Sequence, residues 1–300
     1  MADDVIVYPA HGPGSSCGKN IDTATQSTIG EQKQTNIALQ QTSKEAFIQL
    51  VTEDLPAAPG YFPITAKINK EGYETMDIVL ENSLTALTVE EFKRHLKEDT
   101  ITIILDTRAA AAFTQGFIPG SIFIGLDGKF AEWAGSLLPF DKPLLLVTET
   151  GKEKETVIRL ARVGLSKITG YLQGGFEAWQ NAGEKTDLII DVETDELAMD
   201  IPFDEKLIAV DVRKEVEFAD GHVKDAVSIP LITMTDPASM ANIEDTDNLY
   251  VYCGSGYRST IAASLLKREG IHNLHNVLGG WGKIKDEPGI ETEKDASVLN

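Results

Sequence analysis

Ile103-Ile104-Leu105-Asp106-Thr107-Arg108 returns 105 residues later as Ile208-Ala209-Val210-Asp211-Val212-Arg213. The register persists in both directions with no net gap: Phe113 falls on Phe218, Gly116 on Gly221, Ile124 on Ile229, Leu144 on Leu249 and Gly174-Gly175 on Gly279-Gly280. A period this long far exceeds the unit of a solenoid, so the chain holds two copies of one whole domain. Each copy alternates short apolar runs with helix-period segments. The runs at 101–105 and 144–147 in the first copy, and at 207–210 and 249–252 in the second, predict strands. The apolar stripes at 157–163, stopped by Gly164, and at 261–266, stopped by Gly270, predict helices. Continuous apolar strands separated by helices imply an α/β fold with a mostly parallel sheet covered on both faces. Ligands of such sheets gather at the carboxyl ends of the strands, which directs attention to the residues after Tyr252 and after Val147.

After Tyr252 stands Cys253-Gly254-Ser255-Gly256-Tyr257-Arg258-Ser259, followed by an amphipathic segment. A strand that feeds a glycine-rich loop opening a helix turns backbone N–H groups toward the loop's centre and makes an anion nest. Cys253 begins that nest, and the N–H array, the helix dipole and Arg258 favour its thiolate over its thiol. A thiolate so held is a nucleophile, and the donors that hold it also hold the anion it attacks. Gly254 and Gly256 permit close backbone approach, and Ser259 is expected to cap the helix. A strand-end cysteine can also be a small buried hydrophobe, but Gly-x-Gly and an arginine beside it favour a reactive thiol.

Both copies resemble rhodanese domains. The resemblance rests on the Asp-x-Arg after the first strand, on Gly221-His222-Val223 with Ala226, on the Cys-x-x-Gly-x-Arg-Ser loop and on the closing Gly-Gly segments, and it covers residues 83–300. It implies that Cys253 carries sulfane sulfur from thiosulfate or a low-molecular-weight persulfide to a thiol or cyanide acceptor. It further implies that Gly254, Ser255, Gly256, Tyr257 and Ser259 cradle the donor, that Arg258 stabilises the leaving anion, and that Asp211, Arg213 and His222 support the loop. No metal and no cofactor are expected. A branch of similar fold acts on phosphate or arsenate with Cys-x5-Arg, but only four residues separate Cys253 from Arg258. The shorter loop favours sulfur. The alternative from another class is a non-catalytic docking or persulfide-presenting module for a persulfide dioxygenase domain missing from this chain.

In the first copy Thr148 replaces Cys253, Glu149 replaces Gly254 and Glu153 replaces Arg258. With no nucleophile and two carboxylates in the loop, residues 83–187 are expected to be silent and 188–300 active.

Residues 1–82 share no repeat with the rest. They offer a strand at 5–8, then Pro9-Ala10-His11-Gly12, a Gly-Ser-Ser-Cys-Gly-Lys loop around Cys17, and two helices, the second capped by Thr42 or Ser43 and ending near Glu53. This stretch is similar to the last part of a metallo-β-lactamase-fold domain of the persulfide dioxygenase and glyoxalase II kind. The metal-binding His-x-His-x-Asp-His is missing. The resemblance thus implies a fragment whose dioxygenase domain, a possible partner, lies in a longer parent.

The 27 basic against 47 acidic residues give a net charge of −20, and 188–300 alone holds 10 basic and 22 acidic ones. Such a balance argues against nucleic-acid or anionic-membrane partners, which need a basic face. Two cysteines, Cys17 and Cys253, make no disulfide framework, and with no apolar run of membrane length the sequence reads as cytoplasmic.

Overall fold

The computed structural model describes residues 1–9, 24–53, 60–241, 243–244 and 246–295. His11, Cys17 and their loop lie outside them. The chain forms two compact units, Met1–Ala58 and Pro59–Asn300.

In the first unit Ile6–Val7 pairs antiparallel with Ser27–Thr28. Thr28 and Glu31 form a reciprocal capping box that starts the helix Ile29–Thr35. Ser43 Oγ accepts the N–H of Ala46 and caps Lys44–Thr52, as the sequence predicts.

The second unit contains both copies. The first sheet is built from β1 (Ala86–Leu87), β2 (Ile103–Asp106), β3 (Ile122–Phe123), β4 (Leu144–Val147) and β5 (Ile168–Leu172), in the order β1-β5-β4-β2-β3. The second is built from β6 (Ile190–Val192), β7 (Leu207–Asp211), β8 (Val227–Ser228), β9 (Asn248–Tyr252) and β10 (Leu274–Val277), in the order β6-β10-β9-β7-β8. Every pairing in both sheets is parallel. Even the register repeats: Ile103 faces Leu144, and Ile208 faces Leu249. β2 and β4 are buried at every residue, as strands covered on both faces must be.

One apolar core runs through both copies. It joins Leu105, Phe123 and Leu146 of the first to Val210, Val251 and Ile261 of the second. Helix Tyr257–Arg268 is central to it and is buried on all sides from Ser259 to Leu266, not amphipathic against solvent as its sequence suggests. Its polar residues meet protein instead: Ser264 Oγ accepts the N–H of Phe123, 3.0 Å away on edge strand β3. The segment joining the copies is pinned to the first, since Phe117 and Asp187 exchange both backbone hydrogen bonds and Ile189 N–H donates to Thr114. Helices Phe62–Glu71 and Met76–Ser83 also pack on the first copy. Ile68 lies against Gly164, and Val79 enters the common core. Among the described residues no helix is long and apolar enough to cross a membrane.

Candidate active site

Cys253 leaves β9 at its carboxyl end and is 1% exposed. Its Sγ accepts the N–H of Gly256 at 3.1 Å. Gly256, at φ 112°, makes the left-handed turn that starts helix Tyr257–Arg268, a conformation glycine adopts without steric cost. The first intrahelical bond is Thr260 N–H to Gly256 O, so the N–H groups of Tyr257, Arg258 and Ser259 have no partner inside the helix. That leaves the positive end of a twelve-residue helix beside the sulfur.

The loop is held from behind by the segment after β10. Trp281 N–H donates to Cys253 O at 2.6 Å and Gly282 N–H to Gly254 O at 3.1 Å. Contact is so close that a Cβ on Gly280 would stand 2.2 Å from Cys253 O. The second glycine of the repeated Gly-Gly pair is therefore what lets the backbones meet.

Arg258 does not extend freely into the loop. Its Nη1 and Nη2 donate to Glu217 Oε2 and Oε1 at 2.7 and 2.8 Å, a bidentate pair. These bonds hold the Glu217 carboxyl down at about 2 and raise the Arg258 pKa. Glu217 also accepts the N–H of Lys214, fastening the arginine to helix Glu215–Ala219. Nothing in the pattern joins these residues, 41 apart, beyond their opposite charges after neighbouring strands.

The other expected site residues fall in distinct places. Ser255 is exposed at the loop tip. Tyr257 turns its ring to the first copy, where its hydroxyl donates to Gly125 O at 2.7 Å and burial raises its pKa. Ser259 does not cap the helix. Its hydroxyl is buried between Asn276 Oδ1 at 2.6 Å and Gly256 O at 2.9 Å, because the glycine turn has already placed it one turn inside. Beyond it, Asn276 Nδ2 donates to Asp191, which in turn accepts the hydroxyl of Thr114 from the first copy.

Asp211 and Arg213 form a buried bidentate pair, and Arg213 Nη2 also donates to Gly221 O at 2.5 Å beneath Trp281. His222 is buried but makes no bond to the loop. It stacks on Phe218, bonds Phe218 O through Nδ1 and sits in a strand paired with Thr292–Glu293. Its support thus goes to the chain's last strand. His275 stacks on Tyr250 and His272 faces Asp187; among the described residues no cluster could hold a metal.

The first copy repeats the scaffold with different loop contents. Asp106 and Arg108 form the same buried pair, and Arg108 reaches Gly116 O. In the loop, Gly151 N–H, the counterpart of Gly256 N–H, donates to Glu153 Oε1 at 3.1 Å. Glu149 Oε1 accepts the N–H of Ala109. A carboxylate from within the chain thus takes the donor that serves the sulfur in the second copy.

A profile of the rhodanese-like domain matches residues 88–182 and again 193–287. The chain belongs to the rhodanese-like family. It is 30% identical over 101 residues to a putative sulfur carrier protein, YrkF, of Bacillus subtilis, a match covering 34% of this chain and 54% of that protein. The chain therefore spans about half the length of that relative. It is 28% identical over 95 residues to a putative mitochondrial thiosulfate sulfurtransferase of Schizosaccharomyces pombe, covering 28% of this chain and 67% of the relative. Among solved structures, a metallo-beta-lactamase of Staphylococcus aureus aligns over 58% of this chain and 46% of its own at 29% identity, with a TM-score of 0.42.

Proposed function

We propose that this chain is a sulfurtransferase in which Cys253 carries sulfane sulfur from thiosulfate or a small persulfide to a thiol or cyanide acceptor. The Cys253 thiolate attacks the donor's outer sulfur. A bond forms between Sγ and that sulfur, the donor's S–S bond breaks, and its electron pair leaves with sulfite or a thiolate. An acceptor then attacks the outer sulfur of the Cys253 persulfide, and the pair of the breaking S–S bond restores the thiolate. The loop N–H groups hold the anionic donor and the departing anion, while Arg258 braces the loop beside them.

The observation that carries this reading is the position of Sγ at the strand end, bonded to Gly256 N–H at a helix N-terminus. Residues 188–300 form the active domain in this reading. Residues 83–187 are silent, because Thr148 is no thiolate and Glu153 occupies the nest. The sequence resemblance supports reading 1–82 as the end of a metallo-β-lactamase-like domain, with a dioxygenase domain of the same parent as a partner.

Intact-mass spectrometry after incubation with thiosulfate, and separately with glutathione persulfide, tests the proposal. One added sulfur atom, removed by cyanide and missing in Cys253→Ser, is the expected result. A native chain that neither donor loads would overturn catalysis in favour of a persulfide-independent docking scaffold.

A further inference from the structure

Three arginines lie near the loop, Arg213, Arg258 and, beside Tyr257, Arg159 of the first copy, which pairs with Glu155 and donates to Leu126 O; each is thus matched by a carboxylate. Arg213 is held in bidentate fashion by Asp211, both buried, and Arg258 by Glu217. Of the lysines on neighbouring segments, Lys283 pairs with Glu193 and Lys214 is exposed. Arg258 Nη2 stands beside the loop, 3.2 Å from where a Cβ on Gly254 would lie, so its charge acts at the nest only as one half of an ion pair. Within the loop itself, what a ligand meets is the set of backbone N–H groups and the helix end, equivalent to about half a unit charge. The surrounding domain, with 10 basic and 22 acidic residues, adds a repulsive field.

We infer that Glu217 sets the charge of the donor: by neutralising Arg258 it makes the loop select sulfane donors with one negative charge at the reacting end, persulfides and organic thiosulfonates, over the thiosulfate dianion. The inference rests on the sulfurtransferase reading and narrows its donor class. Glu217 is a specificity-determining residue that acts through Arg258 and touches no reacting atom. A thiosulfonate reacts as thiosulfate does. The Cys253 thiolate takes the outer sulfur, the donor's S–S bond breaks, and its electron pair leaves with a sulfinate in place of sulfite.

Benzenethiosulfonate and thiosulfate, with cyanide as acceptor, compare the two charges at constant chemistry. The native chain should show the higher kcat/KM for the monoanion. Glu217→Gln should raise the thiosulfate-to-thiosulfonate ratio about tenfold, through KM and not kcat, because a freed cation near the nest favours the dianion. Glu217→Ala serves as a second variant that removes the charge without leaving an amide.

Binding of sulfite and methanesulfinate to Cys253→Ser, with and without Glu217→Gln, separates charge selection from transfer. Sulfite tightening on loss of Glu217, with methanesulfinate little changed, supports the inference even if turnover is nil, in which case the transfer reading alone fails. A native preference for the dianion, or ratios that Glu217→Gln leaves unmoved in both assays, overturns the inference while leaving sulfur transfer intact.

Discussion

Thr114 of the first copy donates its hydroxyl proton to Asp191 of the second, oxygen to oxygen 2.6 Å apart. The other oxygen of Asp191 accepts from Asn276, and Asn276 accepts from Ser259 on the helix that begins at the cysteine loop. Ser259, Asn276 and Thr114 are buried and Asp191 between them is half-buried, so this chain of hydrogen bonds runs largely inside the protein. The copy with Thr148 in its loop is therefore linked, through Asp191 and Asn276, to the helix that begins at the Cys253 loop.

Thr114→Val should keep the shape and lose this bond. A charge-assisted hydrogen bond in such a place contributes about 1.5–3 kcal/mol, and chemical denaturation should show a loss of that order. Combined with Ser259→Ala, the effects should fall short of additivity by at least about 0.5 kcal/mol, as expected for members of one network. Strict additivity would show that the two ends do not communicate.

Gly280→Ala tests the close approach behind the loop. A methyl 2.2 Å from Cys253 O, at φ +53°, cannot be accommodated without moving the loop. Backbone strain alone should cost about 1–3 kcal/mol, and sulfur loading of Cys253 should slow by at least about tenfold, near 1.4 kcal/mol of barrier. The equivalent Gly175→Ala in the first copy, where the methyl meets Thr148 O at 3.0 Å, should lower stability while loading proceeds. Mass spectrometry of both variants at short times distinguishes the cases.

Placing a cysteine in the first copy should not give it sulfur chemistry. In a Cys253→Ser background, Thr148→Cys should take up no sulfur, because Glu153 already occupies the Gly151 N–H and Glu149 adds a second carboxylate. Replacing these with the second copy's residues as well, Glu149→Gly and Glu153→Arg, should open the nest and give measurable loading. Uptake by the single variant would show that the carboxylates are no obstacle.

Acid titration should expose the Glu217–Arg258 pair. The Glu217 carboxyl lies at about 2 in the folded chain, below its ordinary value of 4.5. A depressed carboxylate stabilises the fold above the unfolded value, and that contribution is lost as pH falls from about 4.5 toward 2. Native protein should therefore melt above Glu217→Gln at pH 7, and the gap should narrow through this window. A gap that stays constant down to pH 3 would mean the carboxylate's charge contributes nothing.

The repeat made the architecture legible, because identical offsets at Asp106, Leu144 and Gly174-Gly175 require equivalent strands and turns. The cysteine loop was legible for the same reason, as a strand end followed by glycine and a helix. Sequence periodicity misread helix Tyr257–Arg268, whose Ser259, Thr260 and Ser264 look like a wet face. They are buried because each hydroxyl finds a backbone carbonyl acceptor within four residues, which a hydropathy pattern does not register. Strand β2 begins at Ile103 and not at 101, where Ile101 is half exposed and lies in a turn. The Arg258–Glu217 pair escaped because charges far apart in sequence carry no record of which neighbour they face.

The buried Asp106–Arg108 pair has a wider meaning. Burial pushes the Asp106 carboxyl up while Arg108 opposes it, and breaking such a pair costs about 3–5 kcal/mol. The two copies share it down to the arginine's reach for a glycine carbonyl, Gly116 O in one and Gly221 O in the other, although Thr148 stands in one loop where Cys253 stands in the other. Each chain thus contains its own internal comparison: what both halves share is scaffold, and what sets them apart lies in the loops. By that measure the Asp-x-Arg pair, present in both halves, does not distinguish the loop that holds a cysteine from the loop that holds a threonine.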